Sequence, residues 1–426
     1  MKDPSAENDC LQDSAASSIP SPNRAISGDS SLRPHTISLP SNFPRTIDVE
    51  NSLKNIRKIL ESGFTDTEAI ESLQSAVSSR LKRKHALLLG NCSSACHAAL
   101  WALGIGPGDE VICPALSDYA TVFSVLACGA TPVFADSDPL NGLISPEDIR
   151  QKLSGRTRAI MAVHFWGITC DMNSILSIAE DAAVAVVEDC CQAPFARYNG
   201  QHTGELGDIS VFSLSKEKHW AADCGGLLVT DDDAIAVRAQ QFGIARGSYW
   251  QDGYGRIHEH LGYNYRPSVL AAAVAQAQYQ HLDSVIDARR RIITRLNSVI
   301  CEIPGASLPV IPSGGENVAW MYHFRLDSRM YQDLPNIVQH LRGMGLTDID
   351  TAYYYYLPES CAGALAQARV PEKLRFTNVC PNAYEYIRQT LRWVFTEKYS
   401  ERNVNDVGQI ISTYLNTIRG STPDAE

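Results

Sequence analysis

Apolar positions along the chain fall into two rhythms. Short runs at 86–89, 110–113, 131–135, 159–163 and 184–188 are apolar at nearly every position. That is the pattern of strands buried on both faces. Between them, around 119–128, 146–153 and 173–182, apolar residues recur at helical spacing, as they do after Ile47 (Val49, Leu53, Ile56, Ile59, Leu60) and over 68–81. Strands alternating with helices predict an α/β fold with a mainly parallel sheet between helices. Further on, the pattern predicts one long helix over 270–296, a strand over 318–326, and helices over 334–342 and 404–418. The expected organisation is a flexible leader (1–45), a large α/β domain (46–300), a small C-terminal α+β domain (301–420) and a short tail (421–426). The leader is rich in Ser, Pro, Asp and Asn and carries little periodic hydrophobicity.

One stretch breaks the alternation in a chemically suggestive way. Residues 208–232, DISVFSLSKEKHWAADCGGLLVTDD, read as strand, loop, strand, with Lys216 and Lys218 in the loop and a Gly-Gly pair before the second strand. A lysine held between buried strands is partly desolvated, which favours the neutral amine that attacks carbonyls. A solvated surface loop would carry the same residues. Upstream, AAVAVVED ends in two carboxylates, Glu188 and Asp189, where a parallel strand would end. Ligands of open α/β sheets sit outside those strand ends. A strand-end acid together with a loop lysine suits pyridoxal 5′-phosphate, which needs an amine for its aldehyde and a carboxylate for its pyridinium nitrogen. At residues 90–94, Gly-Asn-Cys-Ser-Ser opens a helix after the first strand. Small residues there let backbone N–H groups approach a phosphate, although plain N-capping by Ser93 or Ser94 would look alike.

Several blocks occur together and in order: ALGIGPGDEVICP (102–114), VVEDCCQA (186–193), FSLSKEK (212–218), CGGLLVTDD (224–232) and LGYNYRPS (261–268). The chain resembles, over most of its length, the DegT/StrS family of pyridoxal-phosphate-dependent sugar aminotransferases. The resemblance implies a fold type I transferase whose large domain holds a mainly parallel seven-stranded sheet. Lys218, five positions after the phosphate-binding Ser213, would hold the cofactor covalently and shuttle the proton of the amino donor, with Lys216 as local competitor. Asp189 would face the pyridine nitrogen and Gln192 the ring's 3′ oxygen. Cys92 and Ser93 stand where the family has a Gly-Thr phosphate grip. Asn264 would reach the phosphate of a neighbouring subunit, so a homodimer with shared sites is implied. The implied reaction moves an amino group from Glu or Gln to a keto-sugar, possibly nucleotide-linked, or a keto-cyclitol. Dehydration, oxidation or carbon-carbon bond chemistry on the same fold is the alternative, and a non-catalytic regulatory protein is a further reading. The retained Lys218 and Asp189 count against the last.

Some positions depart from the family's text. Asp118 stands where an aromatic ring stacks on the pyridine, and Tyr119 is the nearest aromatic. Cys224 replaces an acid before Gly225-Gly226, and Val269 replaces a glutamate. The tyrosine run 353–356 replaces a His-aromatic pair. These changes bear on the substrate side.

Composition narrows the rest. A formal net charge of −11 gives no general attraction to nucleic acid or anionic membrane. No apolar run reaches the roughly 18 residues of a membrane helix, and MKDPSAENDC lacks the apolar core of a signal peptide. A cytoplasmic protein is the expectation. The 12 cysteines include no CxxC pair, so no metal site is expected. Cys92, Cys128, Cys170 and Cys301 read as buried free thiols.

Overall fold

The computed structural model describes residues 37–40, 47–372 and 379–420. Seven strands form the central sheet: β1 (His85–Leu89), β2 (Glu110–Pro114), β3 (Thr131–Ala135), β4 (Thr157–Val163), β5 (Ala185–Asp189), β6 (Ile209–Ser213) and β7 (Gly226–Thr230). Their spatial order is β1-β7-β6-β5-β4-β2-β3. β7 runs antiparallel to both its neighbours, and the pairs β6-β5, β5-β4, β4-β2 and β2-β3 are parallel. The continuous apolar runs follow from this. Val111, Ile112, Ile160, Met161, Val186, Val187, Val211 and Leu228 are all buried, because helices cover both faces of the sheet.

Those helices are α1 (Val49–Glu61), α2 (Glu68–Leu81), α3 (Cys92–Ala102), α4 (Tyr119–Ala127), α5 (Pro146–Lys152), α6 (Met172–Ala182) and α7 (Asp233–Gly243). Side chains cap most of them at the N-terminus: Asn91 accepts from Ser94 on α3, and Asp118 accepts from Ala120 on α4. After α7 a hairpin pairs β8 (Ser248–Gln251) with β9 (Gly255–His258).

The long helix expected over 270–296 is two helices, α8 (Val269–Tyr279) and α9 (Leu282–Ile300). Nothing in the apolar rhythm marks the break. It falls where Gln280 and His281 both turn to Asp48, at 3.0 and 2.8 Å. A run of three arginines on a helix usually marks a solvated face, but Arg289–Arg291 on α9 is only partly so. Arg291 is exposed, whereas Arg289 is buried.

A second, four-stranded sheet follows: β10 (Ala306–Ser307), β11 (Tyr322–Leu326), β12 (Ile349–Thr351) and β13 (Thr390–Trp393), in the order β10-β11-β13-β12. Helices α10 (Leu334–Gly343) and α12 (Glu401–Gly420) lie with it, α11 (Pro381–Arg388) between them in sequence. The strand expected from 318 starts only at Tyr322. Ahead of it, the N–H groups of Val318 and Trp320 go to the carbonyls of Gly167 and Trp166, at 2.9 and 3.1 Å. Residues Tyr355, Tyr356, Leu357, Tyr386 and Ile387 join the core of the large sheet. The leader and tail expected over 1–45 and 421–426 lie outside the described residues, apart from 37–40. There Ile37 donates to Met344 O (3.2 Å) and packs, with Leu39, on the core of the second sheet.

The cysteine expectation is corrected at two points. Cys170 is buried and free, and Cys128 is free and half-buried, but Cys301 is exposed. Cys92 is joined in a disulfide to Cys191. The two are far apart in sequence, yet the first turn of α3 faces the end of β5.

Candidate active site

Two adjacent acids end β5, and the pleat sends them to opposite sides. Glu188 is fully buried and saturated. It accepts from the backbone N–H of Gly204 (2.8 Å), Leu206 (3.1 Å) and Gly207 (3.0 Å) and from Ser210 Oγ (3.1 Å). His164 completes the set: its Nδ1 accepts from the Cys170 N–H (3.0 Å), so its Nε2 carries the proton and donates to Glu188 (3.0 Å). Burial pushes the Glu188 carboxyl up, but the bonds from His164, Gly207 and Gly204 outweigh it and hold it below its ordinary value.

Asp189 is the opposite case. It too is buried, but a single hydrogen bond reaches its carboxylate among the described residues, from the Cys191 N–H at 2.9 Å. Burial therefore wins and raises its pKa, against the pull of the Cys191 N–H, Lys218 and His164 and with a push from Asp118. A buried, under-partnered carboxylate is a site waiting for a cation.

The lysines separate clearly. Lys216 is exposed, while Lys218 is half-buried and lies within the field of Asp189. Lys218 Nζ sits 3.7 Å from the centroid of the Trp320 ring. Trp320 is itself pinned: its Nε1 donates to Glu217 O (3.0 Å), and its carbonyl accepts from Arg289 (2.7 Å). Arg289 also donates to Ala319 O (2.8 Å) and Phe395 O (2.9 Å) and pairs with Glu397. The sequence reading missed both residues. Trp320 looked like part of a strand and Arg289 like a surface charge; no local signal marks either.

Facing Asp189 is the N-terminus of α3. Cys92 Sγ, Cys191 Sγ and an Asp189 carboxylate oxygen lie within 4.8 Å of one another. Ser93 is exposed on that first turn. Ser213, at the end of β6, is paired with Gly226, and a Cβ on Gly226 would stand 2.6 Å from the Cys92 nitrogen. Gly225 holds a φ of +139°, left-handed backbone that favours glycine. The Gly-Gly pair thus lets α3 begin directly on the sheet, with its free N–H groups and positive dipole end beside Ser213. Lysine, buried acid and helix N-terminus gather at the carboxyl ends of β5 and β6, as the topology of such sheets predicts.

The sequence matches the family described as DegT/DnrJ/EryC1/StrS aminotransferases over residues 46–412. The chain belongs to this aminotransferase family. It is 34% identical over 264 residues to GDP-perosamine synthase of Caulobacter vibrioides, covering 62% of this chain and 70% of that one. It is 28% identical over 361 residues to GDP-perosamine synthase of Vibrio cholerae, covering 83% and 90%. Among solved structures, S. venezuelae DesV in complex with a ketimine intermediate superposes with a TM-score of 0.76 at 26% identity, covering 86% of this chain and 94% of that one.

In this aminotransferase two of the departures from the family text, Asp118 and the tyrosine run 353–356, lie side by side. Asp118 caps α4, and the Tyr119 ring is 56% exposed and packs on Phe123. Ser117 donates to Tyr355 O (3.2 Å), and Leu357 donates to Ala115 O (2.9 Å), so the tyrosine run 353–356 lines the Asp118 turn. Arg392 lies over the Tyr354 ring at 5.2 Å and pairs with Asp350 at 3.5 Å. Gln192 is buried, its Oε1 accepting from the Trp166 N–H at 2.6 Å. Asn264 is not gathered into the site of its own chain. It is exposed and accepts from Arg266 Nε (2.8 Å), next to Tyr265, whose carbonyl takes the Gly90 N–H (2.7 Å).

Proposed function

We propose that this aminotransferase uses pyridoxal 5′-phosphate to move an amino group from Glu or Gln to the carbonyl of a keto-sugar, in the form of a sugar nucleotide. The observation that carries the reading is the half-buried Lys218 held over Trp320 in the field of the buried Asp189. The residues present fit the cofactor. Asp189 offers a buried carboxylate that accepts one hydrogen bond among the described residues, and the α3 N-terminus, uncrowded by Gly226, offers N–H groups to a phosphate. The keto-sugar class is supported by the relatives' names, GDP-perosamine synthase and a UDP-N-acetyl-3-dehydro-α-D-glucosamine aminotransferase of Acidithiobacillus ferrooxidans.

Pyridoxal phosphate, when bound, supplies an electron sink for the bond broken at the donor's Cα. The chain's own residues do the rest. Ser93, Ser213 and the backbone at Cys92 bind the phosphate. Asp189 keeps the pyridine nitrogen protonated by placing an anion in a low-dielectric pocket. Gln192, fixed by Trp166, orients the ring's 3′ oxygen. Lys218 would hold the cofactor covalently and would move the proton at the donor's Cα. Asn264 serves the phosphate of a second copy, which makes the working unit a homodimer; obligate interfaces of that kind bury about 2,000 Å² or more.

The test is a screen of the purified full chain with pyridoxal phosphate, glutamate or glutamine, and a panel of keto-sugar nucleotides. The reading expects an amino-sugar nucleotide by mass spectrometry, formed in step with the keto acid of the donor. Conversion of a sugar substrate without nitrogen gain would replace it with dehydration or oxidation.

A further inference from the structure

The Cys92–Cys191 disulfide crosses the region where, on the reading above, the cofactor binds. Cys92 opens α3, the phosphate-binding helix, and Cys191 follows Asp189 by two residues. Both sulfurs and an Asp189 carboxylate oxygen fall within 4.8 Å of one another. A third sulfur, Cys96 Sγ, lies 4.0 Å from Cys92 one helical turn on, but it is wholly buried and held as a thiol. Cys92 alone of the three is partly exposed, and it sits where a helix dipole favours a thiolate.

We infer that Cys92 and Cys191 form a reversible thiol–disulfide gate on cofactor loading. The inference rests on the pyridoxal-phosphate reading of the site. Oxidation runs by exchange with a small-molecule disulfide. The Cys92 thiolate attacks one sulfur of it and expels the first small thiolate, leaving a mixed disulfide on Cys92. The Cys191 thiolate then attacks the Cys92 sulfur and expels the second. Two cysteines are oxidised, one small disulfide is reduced to two thiols, and the two cysteine protons go to the departing thiolates. In the bridged form the first turn of α3 is tied to the turn after Asp189, and the Cys92 sulfur stands beside the carboxylate that must receive the ring nitrogen. In the dithiol form the Cys92 side chain can turn away and the two elements separate.

The experiment uses the full-length protein freed of cofactor, equilibrated with excess dithiothreitol or with excess oxidised glutathione. Thiols are blocked by alkylation and peptides mapped without reduction, while pyridoxal-phosphate affinity is measured by titration on unblocked samples. The gate predicts a Cys92–Cys191 cross-linked peptide in the oxidised sample only. It also predicts cofactor binding at least about tenfold weaker in that sample, a differential affinity of the size a two-state switch requires, and restored by reduction. Cys191→Ser should abolish the redox dependence. Absence of the cross-linked peptide, or its presence with equal affinity in both states, overturns the proposal without using the variant. A protein that forms the bridge but binds no cofactor even when reduced overturns the gate by removing the cofactor reading beneath it. That failure is distinguishable because the bridge is still seen.

Discussion

Lys218 and Trp320 form a cation–π pair, the ammonium nitrogen 3.7 Å from the indole centroid. The pair joins the loop after β6 to the segment ahead of β11, so the second sheet sets the position of the Lys218 amine. Such a contact is worth about 0.5–2 kcal/mol. Trp320→Leu should therefore slow amino transfer by roughly 2- to 30-fold at saturating cofactor while leaving Lys218 able to bind it. Single-turnover rates with an amino donor check this; a rate equal to wild type would show that the indole only fills space.

Arg289 holds the other end of that arrangement. Its guanidinium serves the carbonyls of Ala319, Trp320 and Phe395 from a buried position. Arg289→Met would remove a buried ion pair with Glu397 and three hydrogen bonds donated to carbonyls, at a cost of about 3–5 kcal/mol. Denaturant melts should show that loss, with a parallel fall in cofactor retention.

Glu188 and Asp189 should respond to pH in opposite senses. Glu188 titrates below its ordinary value in the folded protein, so its contribution is full above the usual carboxylate range. It is lost as pH falls through the folded value. Glu188→Gln should lower stability near neutrality by about 3 kcal/mol or more and flatten the acid limb of the stability curve.

Asp189 titrates above its ordinary value in the empty site. The empty protein therefore loses stability as pH rises from the usual carboxylate value through the raised one. Asp189→Asn removes that penalty, so the empty variant should be no less stable than wild type at neutral pH. Its half-reaction should nevertheless slow by roughly 10²–10⁴, if the pairing of the acid with the ring nitrogen is worth about 3–5 kcal/mol. A rate within a few-fold of wild type would reduce Asp189 to a strand-end acid.

Gly226→Ala tests the phosphate end. The added methyl meets the backbone of Asn91 and Cys92, which cannot swing aside as a side chain could. Cofactor affinity should drop by about tenfold, about 1.4 kcal/mol and so within the roughly 1–3 kcal/mol that overpacking costs. Equilibrium dialysis reads it, with exposed Lys216→Ala as the unaffected control.

The strands of the large sheet were legible because each is buried on both faces and so reads as an unbroken apolar run. The placement of Asp189 at a strand end, and of Lys218 and residues 90–94 in turns beside strand ends, was legible because such positions are marked locally in the sequence. What escaped the sequence depends on distant partners. The break between α8 and α9 is set by Asp48, more than two hundred residues away in the chain. Arg289 reads as surface charge until the carbonyls of 319, 320 and 395 surround it. Cys92 reads as a free thiol until β5 brings Cys191 to it.

On the proposed function Lys218 binds the cofactor covalently. Borohydride reduction of the reduced, cofactor-loaded full-length protein, followed by peptide mass mapping, reads this directly. A reduced pyridoxal-phosphate adduct is expected on Lys218 and none on Lys216, and a Lys218→Ala variant should still bind the cofactor but not be labelled. An adduct on Lys216, or undiminished labelling of Lys218→Ala, would contradict it.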